Sequence, residues 1–201
     1  MQGSPEWFAE RLGKVTASRI CDVISKVKSG EAASRANYRA QLAAERLTGT
    51  NQDSYTNGAM QWGTETEPYA RMAYEALRGD IVQEVGFVPH PEIKMAGASP
   101  DGFVADGLLE IKCPNTATHI GYFLSGEVPE KYKPQMGWQC ACAGKLWCDF
   151  VSFDPRLPEK MQLMVVRFTP NKEYLDMLEK EVTLFIGELE ELIIQLERKA
   201  A

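Results

Sequence analysis

The spacing of apolar residues changes twice along this 201-residue chain, and that change constrains its fold more than any other feature. Up to about residue 77, apolar residues recur at the three- and four-residue steps of amphipathic helices. Short runs such as LLEIKC and FVSF, separated by turn residues, then indicate strands. Near residue 171 the helical spacing returns. The sequence therefore predicts an α/β (α+β) fold in which a mixed central β-sheet is flanked by helices.

We expect a single domain over 1–201, because no internal repeat and no Pro-, Gly- or Ser-rich linker divides the chain. The predicted parts are N-terminal helices at about 5–77, a sheet core at about 80–168 and a C-terminal helix at about 171–198. Within the first part, TASRICDVI is predicted to form a helix with Thr16 as its N-cap.

The net charge is −6 and the pI is about 5.1, which argues against a protein whose whole surface coats nucleic acid. A local basic channel beside an acidic site is still compatible with this balance. No apolar run approaches the ~20 residues of a membrane span, and the N-terminus lacks a signal-peptide pattern, so we expect a cytoplasmic protein without a membrane partner. Five cysteines at irregular spacing argue against a disulfide framework.

The candidate catalytic residues lie in the stretch SPDGFVADGLLEIKCPN, residues 99–115. Glu110 and Lys112 are two positions apart, so in a strand both side chains leave the same face. The Pro-Asp-Gly turn before them predicts a hairpin that returns Asp101 to the same place. Two carboxylates and one ammonium group are therefore expected to converge.

Asp101, Glu110 and the main-chain carbonyl of Ile111 offer hard oxygen ligands of the kind that Mg²⁺ takes, and Mn²⁺ is expected to substitute. Two such ions would stabilise the attacking and leaving oxygens of a phosphodiester displacement. Lys112 would orient or deprotonate the attacking water, or neutralise the charge that develops on the phosphate. The spacing D-x8-E-x-K matches the PD-(D/E)xK nuclease signature, so the hypothesis is a metal-dependent nuclease.

Other familiar sites are missing from the sequence. The stretch GAMQWGTE has two glycines at the spacing of a phosphate-binding loop, but Thr64 stands where that loop needs a lysine. With two histidines in the chain, a histidine general base or a histidine-rich metal site is not expected. We therefore expect no nucleotide cofactor.

Several blocks together resemble the phage lambda exonuclease family of viral recombination nucleases, from Trp7 to about Arg167. They are EWFAERLGKVTASRI, AMQWGTETEPYAR, GASPDGFVADGLLEIKCP, KPQMGWQCACAG and FVSFDPR. The resemblance implies a restriction-endonuclease-like core and a 5′-to-3′ exonuclease that consumes one strand of linear duplex DNA and leaves a 3′ overhang. It also implies a ring-shaped homotrimer, a single-strand annealing protein as partner, and a phage or prophage gene expressed in a bacterial host.

By the same resemblance, Asp101 and Glu110 match the metal-binding acids of the family and Lys112 matches its catalytic lysine. Glu67 matches an acid that approaches the metals from a neighbouring helix. The family also has a glutamine in the pattern Q-x-Q, whereas this chain has glutamines at 135 and 139 with a glycine between them. We favour Gln135 for the catalytic role, with Gln139 as the alternative.

Three further residues correspond to the DNA-end contacts of the family. Arg11 and Ser18 match the residues that bind the terminal 5′-phosphate, a role suited to a guanidinium fork and to a hydroxyl near a helix start. Met60 matches an apolar wedge that splays the end base pair. These assignments predict that the enzyme acts on DNA ends.

Two other functions stay open on the sequence. A PD-(D/E)xK endonuclease of restriction or repair type shares the triad of Asp101, Glu110 and Lys112 but needs no pocket for a 5′-phosphate. A non-catalytic scaffold that binds DNA ends would not need to keep all three residues. The intact set favours an enzyme.

Overall fold

The computed structural model describes residues 2–52 and 58–200, which form seven α-helices and seven strands. The helices are α1 (Pro5–Arg11), α2 (Ile20–Val23), α3 (Ala33–Thr48), α4 (Gly58–Arg78), α5 (Thr116–Ser125), α6 (Lys133–Ala143) and α7 (Lys172–Ala200). The strands are β1 (Val15–Thr16), β2 (Val88–Pro89), β3 (Ala96–Ala98), β4 (Gly102–Val104), β5 (Gly107–Lys112), β6 (Cys148–Phe153) and β7 (Leu163–Phe168).

The strands lie in two mixed sheets. The smaller sheet has the order β1-β3-β2, with β1 parallel and β2 antiparallel to β3. The larger sheet has the order β4-β5-β6-β7, in which β5 and β6 are parallel and the outer pairs are antiparallel. The division falls between Ala98 and Gly102, where Pro100 cannot donate a ladder hydrogen bond. The predicted mixed α/β class is confirmed, with its strands shared between two sheets instead of one.

Strand β5 is central to the larger sheet, and all of its residues except Lys112 are buried. Its two faces pack against different helices because side chains alternate along a strand. Leu109 and Ile111 belong to a core cluster with Ala70 and Tyr74 of α4. The opposite face, which begins with Leu108, meets α6 through a second cluster and carries Glu110 and Lys112. The chain crosses from β5 to the parallel strand β6 through α5 and α6, as parallel pairing requires.

The predicted helical segment does begin directly after Thr16, but the capping bond predicted for the Thr16 side chain is absent. Val15 and Thr16 form β1 and pair with Ala96 and Gly97 of β3. A 3₁₀ helix over Ala17–Arg19 follows before α2 begins. The β-branched residues of this segment take the extended conformation once β3 offers them a partner.

A third core cluster joins the N- and C-terminal helices. Tyr38 and Leu42 of α3 pack with Val182, Phe185 and Leu189 of α7, and all five are buried. The predicted C-terminal helix therefore presents its apolar stripe to the N-terminal helices. No helix in the described residues is long and apolar enough to cross a membrane.

Candidate active site

The hairpin of β4 and β5 brings Asp101 to the carboxyl end of β5. The main-chain N–H of Asp101 donates to the carbonyl of Leu109 at 3.1 Å, and the Asp101 carboxylate accepts from the N–H of Ile111 at 2.6 Å. Because the second bond is made to the strand backbone, the Asp101 carboxylate is fixed beside the residues that flank Ile111. The sequence prediction that Asp101 returns to Glu110 and Lys112 thus matches the geometry.

Glu110 is completely buried, and three nitrogen donors surround its carboxylate. Lys112 forms an ion pair with Oε1, as expected for two residues on one face of a strand. Gln135 donates to the same oxygen at 2.5 Å, and Gln139 donates to Oε2. The two glutamines are one turn apart on α6, so both reach the carboxylate from the same helix face.

The charges of this cluster act on one another at short range, with Glu110 completely buried and Asp101 and Lys112 partly buried. Burial, followed by the nearby Glu110 carboxylate, raises the pKa of Asp101 well above its usual range. Burial alone would lower the pKa of Lys112, but the negative charges of Glu110 and Asp101 outweigh it and raise that pKa above its usual value. The arrangement combines two acids with one ammonium group, and such a set favours an additional cation.

Asp101 also faces a large cavity, of about 1250 Å³, between the N-terminal segment and α4. Four other residues singled out in the sequence line the same cavity, namely Arg11, Ser18, Met60 and Glu67. Glu110, Lys112 and Gln135 are not among its lining residues, but they lie beside Asp101, whose carboxylate accepts from the N–H of Ile111. The structure therefore brings the predicted DNA-end residues and two predicted metal-binding acids, Asp101 and Glu67, to one space.

Arg11 is linked to the Asp101 hairpin through Ser99. The guanidinium of Arg11 donates to Ser99 Oγ at 3.1 Å, and the indole N–H of Trp7 donates to the same oxygen at 2.9 Å. The guanidinium also stacks on the Trp7 ring, 4.1 Å from its centroid. Ser99 was missed by sequence reasoning, although its place two residues before Asp101 is a signal that could have indicated it.

Glu67 of α4 has a positive partner on its own helix. Its carboxylate pairs with Arg71 at 2.7 Å, and Arg71 also pairs with Glu84 at 2.7 Å. Burial raises the pKa of Glu67, while the charge of Arg71 lowers it and that of Glu110 raises it further. Glu67 is thus close enough to the Glu110 cluster to share its electrostatic field.

In residues 2–52 and 58–200, no three side chains of His, Cys, Asp or Glu lie together in an arrangement that could hold a metal ion by themselves. Mg²⁺ in proteins is commonly bound by one or two carboxylates, with water and substrate phosphates completing its shell. Asp101, Glu110 and the Ile111 carbonyl supply hard oxygens of that kind at one strand end. The donor set therefore fits a hard divalent cation whose coordination shell is completed by water and by phosphate oxygens of the substrate.

A family model of the YqaJ-like viral recombinase domain matches residues 6–146 of this chain. The chain belongs to the YqaJ-like viral recombinase family. The matched segment contains every residue proposed above for the site, from Arg11 to Gln139. The recognised likeness to exonucleases of the lambda type is confirmed.

Solved structures agree with this membership. The chain is 52% identical to LHK-Exo, an alkaline exonuclease from Laribacter hongkongensis, over 98% of both chains, with a TM-score of 0.91. A crystal structure of LHK-Exo in complex with dAMP gives a TM-score of 0.92 at the same identity and coverage. A phage-related exonuclease from Haemophilus somnus 129PT shares the fold, with a TM-score of 0.72 and 17% identity over 91% of this chain and 96% of that one. No curated protein matches the chain. This family member is a nuclease.

Proposed function

We propose that this protein is a Mg²⁺-dependent 5′-to-3′ exonuclease that degrades one strand of linear duplex DNA. The observation that carries the proposal is the shared cavity, because it joins Asp101 to Arg11 and Ser18. An endonuclease needs the acids and the lysine but has no use for an arginine and a serine that bind a strand terminus. The 3′ overhang left by such digestion is the substrate for phage-type recombination by strand annealing.

Asp101, Glu110 and the Ile111 carbonyl would hold Mg²⁺, and Glu67 would approach it from α4. When bound, the metal supplies Lewis-acid stabilisation to a phosphodiester displacement, and Mn²⁺ would substitute for it. Lys112 adds a positive charge beside Glu110 that offsets the charge developing on the phosphate. Gln135 orients the Glu110 carboxylate through its amide.

Water attacks the phosphorus that joins the first two nucleotides, and the bond from phosphorus to O3′ of the first nucleotide breaks. The O3′ oxygen takes up a proton and leaves with the first nucleotide, which is released as a 5′-mononucleotide. The shortened strand then carries a new 5′-phosphate, which Arg11 and Ser18 can bind in the next cycle. The similar protein LHK-Exo has been crystallised with dAMP, a 5′-mononucleotide of this kind. That complex supports the proposal for the present chain.

The proposal includes a homotrimeric ring that encircles the DNA and a single-strand annealing protein that receives the 3′ strand. The sequence lacks the lysine of a phosphate-binding loop for ATP, so repeated cleavage without release would depend on topology to retain the substrate. A ring also accommodates the net charge of −6, because only residues that line its channel need to be basic. The proposal also holds that a phage or prophage encodes the protein and that it acts in the cytoplasm of the bacterial host.

The test compares linear with covalently closed duplex DNA in Mg²⁺, in Mn²⁺ and in chelator. Linear DNA should be digested with either metal, and closed DNA should survive. Asp101→Ala, Glu110→Ala and Lys112→Ala should each abolish digestion, while Asp176→Ala, which removes an exposed acid from α7, should leave it unchanged. Cleavage of closed circles would instead favour an endonuclease of restriction or repair type.

A further inference from the structure

The first two turns of α4, residues 58–65, extend from the core of the domain. The first buried residue of the helix is Thr66, and residues 58–61, 64 and 65 are exposed. Met60, the proposed wedge, is 54% exposed and lines the cavity. Trp62 is the large side chain of these two turns that is more than half-buried. It can therefore anchor the stretch to the domain.

Trp62 contacts Arg156, which lies in the loop that follows β6. The guanidinium lies over the indole, 4.5 Å from the ring centroid. The indole N–H is buried and has no hydrogen-bond partner among the described residues. The face of the ring, not its polar edge, thus provides the attachment.

The exposed Arg156 side chain is itself held by hydrogen bonds. Its Nε and Nη2 donate to the two oxygens of Asp154 at 2.6 and 3.0 Å, and Asp154 is completely buried. Nη2 also donates to the carbonyl of Pro114 at 3.1 Å. A guanidinium with this many bonds presents a fixed plane on which the indole stacks.

The elements joined by Arg156 are those that form the active site. Pro114 follows Lys112 by two residues at the end of β5, and Asp154 follows directly on β6. Trp62 lies on α4 between Met60 and Glu67. One side chain therefore connects the end of the catalytic strand with the helix that carries the proposed wedge.

We propose that the stack of Arg156 on Trp62 is a positioning contact that holds the first two turns of α4, and with them Met60, against the end of the DNA. The inference rests on the proposed end-specific exonuclease. A terminal base pair must be unstacked before its 5′ nucleotide enters the site, and unstacking has a cost in free energy. An apolar wedge can oppose that cost only while its helix is held in place. Loss of the stack should therefore slow digestion from paired ends and spare ends that are already open.

The experiment measures initial rates on two linear duplexes, one fully paired and one with two mismatched base pairs at the 5′ end. The variants are Trp62→Leu, which removes the ring, Trp62→Phe, which keeps a ring, and Arg156→Lys, which keeps the charge without the plane. Arg167→Lys is a matched control, because Arg167 stacks on Trp147 at 3.4 Å and bonds to both oxygens of the buried Asp149 at the other end of the sheet.

For Trp62→Leu and Arg156→Lys, the rate on paired ends relative to mismatched ends should fall at least fivefold. Trp62→Phe and Arg167→Lys should keep the wild-type ratio. A second readout uses binding alone: the fluorescence of 2-aminopurine at the 5′ terminus of a paired duplex should rise with wild type, without metal, and rise less with Trp62→Leu.

An equal loss on both duplexes, or no loss on either, would overturn the positioning role while leaving the exonuclease proposal intact. A wild-type protein that digests neither linear duplex would instead contradict the proposed function itself. Thermal unfolding of each variant shows separately whether it is folded, and Arg156→Lys, which changes an exposed side chain, keeps the test decisive if Trp62→Leu does not fold.

Discussion

Gln139 donates a hydrogen bond from its side-chain amide to the carboxylate of Glu110, and both residues are completely buried. Gln135, one turn earlier on α6 and only half-buried, donates to the other oxygen of that carboxylate. The oxygen of the Gln139 amide accepts in turn from the thiol of Cys148 at 3.8 Å. The two candidates for the family glutamine therefore bond the same acid, with Gln139 in the protein interior and Gln135 in a half-buried position.

Gln139→Ala is expected to lower the free energy of unfolding by about 2 kcal/mol, because a buried carboxylate loses a charge-assisted hydrogen bond. Gln135→Ala should have a smaller effect on stability and a larger effect on kcat, because Gln135 is less buried and its amide bonds the same Glu110 oxygen as Lys112. Urea denaturation and steady-state rates measure the two effects, with Gln195→Ala on the exposed side of α7 as a control. A Gln139→Ala protein as stable as wild type would contradict the interior role.

Arg11→Ala should remove most of the preference for 5′-phosphorylated over 5′-hydroxyl ends and leave metal binding unchanged. A charge-assisted contact of this type contributes about 1.5–3 kcal/mol, so wild type should prefer the phosphorylated end by about ten- to a hundredfold. Initial rates on matched duplexes measure the ratio. Arg39→Ala, which removes an ion-paired arginine of α3 outside the cavity, is the control. Indifference of wild type to the phosphate would refute the 5′-end assignment.

Asp154 should make stability depend on acid pH. Burial would raise the pKa of its carboxyl, but hydrogen bonds from Arg156 and Thr116 outweigh it and lower the pKa to about 2, from an ordinary 3.8. A lowered pKa contributes stability above about pH 4 that is lost as the pH falls toward 2. Asp154→Asn should therefore cost about 2 kcal/mol at pH 7 and less at pH 3. Urea denaturation at pH 7 and at pH 3 tests this. A difference in unfolding free energy between wild type and Asp154→Asn that does not change with pH would contradict it.

The protein should behave in light scattering as a particle of three times 22.5 kDa. The physical reason is that a closed ring retains DNA without using ATP. Processivity measured on long linear duplex with an excess of competitor DNA should accompany that mass. A strictly monomeric species with full processivity would refute the ring, and a dimer would favour the endonuclease alternative.

The sequence predicted those features that depend on neighbours along the chain. Strand periodicity alone placed Glu110 and Lys112 on one face, and the prediction of a hairpin returned Asp101 to them, although the turn that closes the hairpin lies at Ala105 and Asp106. The capping bond assigned to the Thr16 side chain is absent, and the pairing of Thr16 with Gly97 of β3 could not be predicted because the two residues lie far apart in sequence. The stack of Trp62 on Arg156 could not be predicted either, because it joins residues far apart in sequence that no spacing rule connects.

Which strand is digested, and from which end, tests the central claim most directly. A linear duplex carrying one label at a 5′-phosphate and a different label at the 3′ end of the same strand is incubated with the protein and Mg²⁺. The proposed function predicts that the 5′ label appears first, as a mononucleotide, while the 3′ label stays in a shortening strand, and that Asp101→Ala releases neither. Early release of the 3′ label, or release of both labels in fragments of intermediate length, would contradict it.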